Sequence, residues 1–334
     1  MATDLALLFE SLVLPLAQPS GDNFSAIPIP GFETHRLAKD VSGAPCLLLR
    51  QPAGATRPAP IRLQNLLVAY DVPCTITFPS GAKEQESFTI LRCSDADPRL
   101  FAHFLKIVSP VVAALGAMPT SAAVRQAISG LVQLFQALTA PAKKSIQGVW
   151  AELFLIRNSS NPMVLTSAWH RLRDEHFDFV AGPERLEVKS SSNRRREHYF
   201  SLAQLSSTRL SRVVIASVFV ERVGGGFSLR RLFEEVRSQV VDNPALAVQF
   251  DSSFYAALGT GWADVMDESF DWELAEESLA FFDAELVPRV ANPVPPTVTD
   301  VRFRSDLSGV TPIRHHELRA AGVLFPAATP AGKI

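Results

Sequence analysis

The chain has 334 residues, 47% hydrophobic and 20% charged, which is enough apolar material for two or three folded domains, or for one core with large additions. Its formal net charge of −2 excludes a protein that binds polyanions through its overall charge. No run is long and apolar enough for a bilayer span, and the three cysteines form no CxxC or zinc pattern. We therefore expect a reduced, cytoplasmic protein without a membrane segment, in which the cysteines are buried structural residues, with a catalytic thiol as the alternative.

The N-terminal part predicts a helix followed by a β-rich region. Residues 1–20 have an amphipathic helical pattern that includes two acids and no basic leader. Residues 25–97 consist of short apolar runs separated by turn signals, which is typical of strands. From residue 98 to about residue 140 the apolar spacing becomes helical. We assign a β-rich region to residues 1–115 and a helical connector to residues 116–144.

Residues 145–160 predict an amphipathic helix. Apolar residues recur with helical spacing from residue 146 to residue 154, and Ser145 is a suitable N-cap. Glu152 falls at the border of the apolar face of this helix. From there its carboxylate could reach a neighbouring sheet, and a solvated glutamate is an equally good interpretation.

The stretch 177-FDFVAGPERLEVK-189 predicts a β-hairpin with its turn at residues 181–183. Side chains of a strand alternate between its two faces. Asp178, Glu187 and Lys189 therefore share one face, and the Phe, Leu and Val side chains share the other. We expect the apolar face to be buried and the charged residues to lie on the outer face.

The elements that follow alternate between helix and strand. Residues 201–204 are expected to begin a helix, and residues 213–220 are typical of a buried central strand. Ser228 is the expected N-cap of a helix over residues 229–240. From residue 145 to residue 240 the order is therefore helix, strand, strand, helix, strand, helix, which predicts an α/β fold with a mixed central sheet flanked by helices.

The core is assigned to residues 145–241, and residues 242–334 are a C-terminal α/β addition. This addition contains a proline-rich joint at residues 293–296 and a tail at residues 326–334 that we expect to be frayed. Charge is uneven across these parts. Residues 185–237 have a net charge of +6, with eleven Lys or Arg against five Glu, whereas residues 251–285 contain ten Asp or Glu and no Lys or Arg.

The hairpin carries the residues of a metal-dependent hydrolytic site. Carboxylates on adjacent strands, here Asp178 and Glu187, can converge on Mg²⁺, which binds oxygen ligands and usually takes one or two carboxylates. Glu152, on the preceding helix, could add a third acid. Lys189 shares the face of Glu187, where an ammonium group can orient or deprotonate the attacking water or balance charge in the transition state. This set predicts hydrolysis of a phosphodiester.

Basic residues follow the hairpin directly. Arg194, Arg195 and Arg196 could contact the phosphate backbone of a nucleic acid, and His198 could approach the scissile phosphate. A solvated loop is the alternative for the arginines, and a structural role is the alternative for the histidine.

These motifs resemble the PD-(D/E)XK nuclease superfamily. The stretches GVWAELFLI, FDFV, LEVKSS and HYFSLAQL, within about residues 145–240, are similar to a prokaryotic family known only as "PD-(D/E)XK motif protein", whose members tend to sit among restriction and phage-defence genes. The sequence departs from the pattern at Phe177, where the motif has proline, and at Ala151, where glycine is expected.

The resemblance implies a restriction-endonuclease-like core and a role for each matching residue. Asp178 and Glu187 match the metal-binding acids, Lys189 the catalytic lysine, Glu152 the helical acid, and Gln204 a glutamine that often follows. Gln204 has a second explanation, because Ser201-x-x-Gln204 is a capping box and both roles can coexist.

We therefore expect an Mg²⁺-dependent endonuclease that cuts DNA in a restriction or defence setting, with Mn²⁺ as a substitute ion. Two alternatives stay open. The protein could bind DNA without cutting it, or it could be a structural subunit that binds other defence-locus proteins through its acidic C-terminal region. Double-strand cutting with one site per chain would favour a homodimer.

Overall fold

The structure is a computed structural model that describes residues 5–15, 22–50, 58–94, 98–170, 176–205, 211–290, 295, 297–298, 300–320 and 322–331. The chain divides into two compact units. The first comprises Met1–Ala140 and Asn243–Ser252, and the second comprises Pro141–Asp242 and Ser253–Ile334. Sheets and helices occur in a mixed α/β arrangement, which confirms the predicted α/β class. Within the described ranges, no helix has both the length and the apolar character needed to cross a bilayer.

A barrel-like β-sheet dominates the first unit. Five strands form a closed ring in the order β1-β2-β3-β6-β5, because β1 pairs with β2 on one side and, in parallel, with β5 on the other. The short strand β4 pairs with β5. The strands are β1 Asp22–Ile29, β2 Phe32–Lys39, β3 Pro45–Leu49, β4 Ile61–Arg62, β5 Leu66–Thr77 and β6 Lys83–Cys93.

The inside of this sheet is an apolar core that includes two of the three cysteines. Phe24, Leu48 and Phe88 pack there with Cys46 and Cys74. The third cysteine, in β6, is also a buried thiol, as predicted. Burial raises the pKa of the Cys74 thiol to about 12 and raises that of Cys46 further, so both remain protonated and unreactive at neutral pH.

Three helices accompany the barrel: α1 Leu5–Glu10, α2 Pro98–Leu115 and α3 Ser121–Leu138. The prediction of helices between residues 98 and 140 is confirmed. The predicted helix over residues 1–20 ends earlier than expected, at Glu10, and residues 1–4 and 16–20 lie outside the described part of the chain. Pro15 disfavours helical geometry at Leu14, so a helix could not continue smoothly through this point.

The second unit is built around a four-stranded mixed sheet in the order β13-β10-β8-β7. Its helices before and around the sheet are α4 Ile146–Asn158, α5 Pro162–Ala168 and α6 Leu229–Gln239. Its remaining helices are α7 Pro244–Leu258, of which residues 253–258 belong to this unit, α8 Trp262–Val265, α9 Trp272–Ser278, α10 His315–Leu318 and α11 Leu324–Ala328. Its strands are β7 Phe179–Ala181, β8 Glu184–Ser191, β9 Glu197–Ser201, β10 Arg212–Phe219, β11 Arg222–Ser228, β12 Ser269–Phe270, β13 Ala280–Asp283 and β14 Arg302–Asp306.

The predicted hairpin and central strand are confirmed. β7 and β8 pair antiparallel, with Phe179 opposite Leu186, and the turn between them includes Gly182 in the left-handed region at φ 54°. β8 then pairs in parallel with β10 along its whole length, from Glu184 opposite Arg212 to Ser191 opposite Phe219. β10 is buried at all but its end residues, as expected for an apolar strand in the middle of a sheet.

Both predicted helix caps are also confirmed. Ser145 and Ser228 each accept a backbone N–H bond at the first turn of α4 and α6. Helix α4 is not amphipathic, however. It is buried on all sides from Val149 to Ile156, with Trp150 stacked on Phe154 at 5.5 Å between ring centroids. The expected border position of Glu152 therefore does not exist, and this residue is only 3% exposed.

The residues around Gln204 begin a helix as expected, and its described part, Leu202–Leu205, is a single 3-10 turn. Residues 206–210 lie outside the described ranges. The preceding residues form β9, which the sequence pattern did not predict. β9 pairs with β14, about a hundred residues later in the chain, so its partner was not visible in the local pattern.

C-terminal segments complete the second unit. β13 forms one edge of the central sheet beside β10. The expectation of a frayed tail is wrong for residues 326–331, because Thr329 is fully buried and its carbonyl oxygen accepts a 2.7 Å hydrogen bond from the Ser160 N–H. Residues 332–334 and most of the proline-rich joint lie outside the described residues. The division between core and addition at residues 241 and 242 stays a prediction.

Candidate active site

Asp178 and Glu187 are positioned by the β7–β8 hairpin. Asp178 directly precedes β7, and its Oδ2 accepts a 2.7 Å hydrogen bond from the Val188 N–H. Glu187 lies in the middle of β8. The expectation that these carboxylates lie on an outer face is wrong, because Asp178 is 5% exposed and Glu187 is 4% exposed.

Glu187 is held by two residues of the predicted site. Lys189 Nζ donates a 2.7 Å hydrogen bond to Glu187 Oε1, and Gln204 Nε2 donates a 2.6 Å bond to the same oxygen. Lys189 Nζ also lies 3.3 Å from Gln204 Oε1, which closes a triangle of contacts. Glu187 Oε2 is buried and has no hydrogen-bond partner among the described residues.

Gln204 has both roles that the sequence left open. Its Oε1 accepts a 3.0 Å bond from the Ser201 N–H, and its own N–H donates a 3.3 Å bond to Ser201 Oγ. This is the capping box at the start of the 3-10 turn. The same side chain contacts Glu187 and Lys189, so the cap fixes the position of the amide beside the carboxylate.

Glu152 reaches the cluster through a lysine that the sequence pattern did not indicate. Lys144 Nζ donates to Glu152 Oε1 at 2.5 Å and also donates to Asp178 Oδ1. Glu152 Oε2 accepts a 2.8 Å bond from Trp169 Nε1 and lies 2.8 Å from His170 Nε2. The buried glutamate therefore has partners at both of its oxygens.

The charges in the cluster shift two pKa values in opposite directions. Burial opposes ionisation of Glu152, but Lys144 and His170 together lower its pKa to about 2. Burial and the nearby Asp178 carboxylate raise the pKa of Glu187 to about 8, against the effect of Lys189. At neutral pH the glutamate beside Lys144 is ionised, while the one beside Lys189 holds a proton.

The donor atoms suit a divalent cation. Ligand atoms of Glu152, His170 and Asp178 lie within 4.8 Å of one another. Glu187 adds a buried oxygen without a partner, which is the kind of atom that a bound ion would satisfy. Carboxylate oxygens fit Mg²⁺ and Mn²⁺, and an imidazole nitrogen fits Mn²⁺ better than Mg²⁺.

The basic residues after the hairpin do not join this cluster as a group. Arg194 makes a two-bond ion pair with Glu221, at 2.7 and 3.0 Å, and Arg195 has a 70% exposed side chain whose Nη1 lies 3.8 Å from Glu197. Arg196 is half-buried, and its guanidinium donates to backbone carbonyls and a hydroxyl of the core.

His198 lies below the sheet surface. It is 3% exposed, and its Nε2 lies 2.8 Å from Ser217 Oγ. Burial, with help from Lys189 and Arg196, lowers the pKa of His198 to about 4, so the ring is neutral at neutral pH. The structure places this histidine as a packed, neutral hydrogen-bonding group.

Three residues of the cluster were missed by sequence reasoning. Lys144 immediately precedes the N-cap of α4 and looks like one of two solvated lysines in a connector. Trp169 had the pattern of a core residue, and it is fully buried while also donating to Glu152. His170 has a left-handed backbone, at φ 42°, that turns its ring toward Glu152. Only the three-dimensional arrangement identifies them.

A hairpin with two buried acids and a lysine, beside a helix with a third acid, has the residue types of the PD-(D/E)XK motif. Comparison with known families agrees. Residues 11–308 match the sequence profile of the family DUF4420, described as "Putative PD-(D/E)XK family member", and the chain belongs to that family. This match confirms the resemblance found in the sequence and indicates a nuclease-like function. No curated protein and no solved structure matches the chain significantly.

Proposed function

We propose that the protein is a metal-dependent endodeoxyribonuclease that hydrolyses phosphodiester bonds of DNA, with a restriction-endonuclease-like core formed by the sheet β13-β10-β8-β7 and its helices. One observation carries this proposal. The five predicted residues form two hydrogen-bonded groups at the β7–β8 hairpin: Lys144 joins Glu152 to Asp178, and Lys189 and Gln204 both donate to Glu187, whose other buried oxygen is left without a partner among the described residues.

Asp178 and Glu187 are the proposed ligands of Mg²⁺, or of Mn²⁺ as its substitute, and Glu152 offers a second cation position with Asp178. When bound, the ion supplies a Lewis acid that stabilises charge on the phosphate and acidifies a water molecule. Lys189 orients the attacking water and balances negative charge as the phosphorus–oxygen bond breaks. Gln204 holds the side chains of Lys189 and Glu187 next to each other.

Exposed basic residues give the proposed DNA contact. Arg195 is the most exposed arginine of the run, and Arg194 next to it is 62% exposed. We propose that both bind phosphates. Arg196 and His198, also expected from the sequence to contact nucleic acid, act on the DNA only indirectly in this proposal, through the position of the segment that carries Arg194 and Arg195. On the basis of the resemblance, we also propose a restriction or phage-defence setting, with partner proteins from such loci. The proposed chemistry adds a homodimer for double-strand cutting.

The test is a nuclease assay on plasmid DNA, modified and unmodified, with Mg²⁺ and with Mn²⁺. We expect Lys189→Ala to lower the cleavage rate by about 10²–10⁴-fold, the usual contribution of a group that assists proton transfer. Lys83→Ala, an exposed lysine of β6, is the matched control and should cut like the wild type.

One outcome of this assay would contradict cleavage. If the wild type nicks no DNA with either ion, and wild type and Asp178→Ala bind DNA equally, the non-cleaving alternative replaces the nuclease. Binding without cutting would then be the function of the basic segment.

A further inference from the structure

Lys144 occupies a position that a cation bound by Glu152 and Asp178 would take. Its ammonium group donates to one oxygen of each carboxylate, and both carboxylates are buried. Two buried carboxylates that lie close enough to share one ammonium group need a positive charge between them. In the metal-free protein, Lys144 supplies it.

The backbone of Lys144 is held by a hydrogen bond, whereas its side chain is partly exposed. Its N–H donates a 3.2 Å bond to the Ala257 carbonyl, and the neighbouring Lys143 N–H donates to the same oxygen at 3.0 Å. The backbone is therefore fixed in place just before α4. The Lys144 side chain is 27% exposed and carries its ammonium group on a flexible four-carbon chain.

The other half of the site has no such cation in place. Glu187 Oε2 is buried without a hydrogen-bond partner among the described residues, while Lys189 and Gln204 both engage Oε1. Lys144 lies between Glu152 and Asp178, whereas one oxygen of Glu187 has spare capacity for the ion of the proposed function.

We propose that Lys144 is a tethered cation that takes the place of a second divalent ion, so that the wild-type protein binds one divalent ion, at Asp178 and Glu187. This inference rests on the proposed function for the identity of the first position. It assigns Glu152 the role of holding Lys144, with Trp169 and His170 fixing the other oxygen of that carboxylate. The role of Lys144 is to position charge, not to react with substrate.

The test counts bound Mn²⁺ per chain by isothermal titration calorimetry, with free Mn²⁺ measured by electron paramagnetic resonance. We expect one ion for the wild type and two for Lys144→Gln, because the neutral amide leaves both carboxylates available to a second ion. Lys143→Gln, which changes the adjacent exposed lysine, should bind one ion. Lys144→Gln/Glu152→Gln should return to one ion.

A second measurement keeps the inference testable if Lys144→Gln does not fold. Lys144→Arg keeps a positive charge beside both carboxylates and should bind one Mn²⁺ ion like the wild type, whereas Lys144→Met, which has no charge, should bind two. Two ions in the wild type or in Lys144→Arg, or one ion in both Lys144→Gln and Lys144→Met, would each overturn the inference.

Failure of the proposed function gives a different result. If Mn²⁺ binds as expected but no variant or wild-type protein cuts DNA, Lys144 keeps its assigned role and the nuclease proposal fails. If DNA is cut and the ion count does not respond to Lys144, the nuclease stands and the inference about Lys144 fails.

Discussion

Glu187 is a buried carboxyl group whose two oxygens have different surroundings. Oε1 is shared by Lys189 and Gln204, whereas Oε2 has no partner among the described residues. Burial and the neighbouring Asp178 carboxylate raise its pKa to about 8. A neutral glutamic acid at this position is ready to exchange its proton for a metal ion, so ion binding releases a proton.

At the residue scale, this shift predicts how the stability of the metal-free protein depends on pH. The unfolded chain loses the Glu187 proton near pH 4.5, and the folded protein keeps it up to about pH 8, so the free energy of unfolding falls as the pH rises through this window. At about 1.4 kcal/mol per pKa unit, the loss between roughly pH 5 and pH 9 is on the order of 4 kcal/mol.

Urea unfolding of the wild type and Glu187→Gln, without metal, measures this effect. Glutamine is neutral at every pH, so the variant should lack this part of the pH dependence. In the wild type, Mn²⁺ affinity should rise over the same window. Identical pH profiles of stability for the two proteins would contradict the assignment.

At the element scale, the loop before β9 places two neighbouring arginine side chains, Arg195 and Arg196, in different environments. Arg195 extends into solvent, whereas Arg196 donates to the Ser217 carbonyl at 3.0 Å, to Ser217 Oγ at 2.8 Å and to the Ser278 carbonyl at 2.5 Å. Its guanidinium also lies over the rings of Phe219 and Phe282. Arg196 thereby links the segment before β9 to β10 and to the end of α9.

Neighbouring arginines should therefore respond differently to the same substitution. Arg196→Ala should lower the free energy of unfolding by about 2–3 kcal/mol, because buried carbonyls lose a charged donor. Arg195→Ala should change stability by less than about 0.5 kcal/mol and should weaken DNA binding at all sequences, with a salt slope reduced by about 1.

Thermal unfolding and DNA titrations at several salt concentrations compare the two variants directly. A stable Arg196→Ala protein, or an Arg195→Ala protein that binds DNA as tightly as the wild type, would show that the roles are assigned wrongly. Arg194→Ala removes a positive charge and also breaks the ion pair with Glu221. Its comparison with Arg195→Ala therefore separates the effect of charge from the effect of ion pairing.

At the scale of the whole second unit, the C-terminal segment is hydrogen-bonded to the start of β8. The Glu184 carboxylate, at the start of β8, accepts backbone bonds from Val323, Leu324 and Phe325 at 2.7, 2.9 and 3.3 Å. Gly322 has a φ of +94°, and a Cβ there would lie 2.1 Å from Glu184 Oε1. This glycine lets the chain approach the buried carboxylate closely enough to be held.

Gly322→Ala should therefore destabilise the protein by about 2–3 kcal/mol, from backbone strain and a clash with a fixed carboxylate. Gly309→Ala is the matched control, because a Cβ there meets nothing within 4 Å and its φ is ordinary, so its effect should stay within about 0.5 kcal/mol. Chemical denaturation measures both. Equal stabilities would show that the tail is not held at Glu184.

Much of the second unit was predictable from local pattern. The turn at Gly182, the pairing of β7 with β8, the serine caps of α4 and α6 and the apolar run of β10 are short-range features. Each depends on backbone preferences within about ten residues, and each formed as predicted. The spacing of Glu187 and Lys189 follows from the same two-residue period, which is why the candidate site could be located in the chain.

Long-range packing decided the rest. The burial of Glu152, the insertion of Lys144 between two carboxylates and the docking of Thr329 depend on contacts with segments distant in the chain. The pairing of β9 with β14 and the closure of β1 on β5 are equally invisible to local periodicity. Whether a charged residue is solvated or buried depends on what covers it, and in this protein the covering groups come from separate elements, so their charges and positions are known only once the chain has folded.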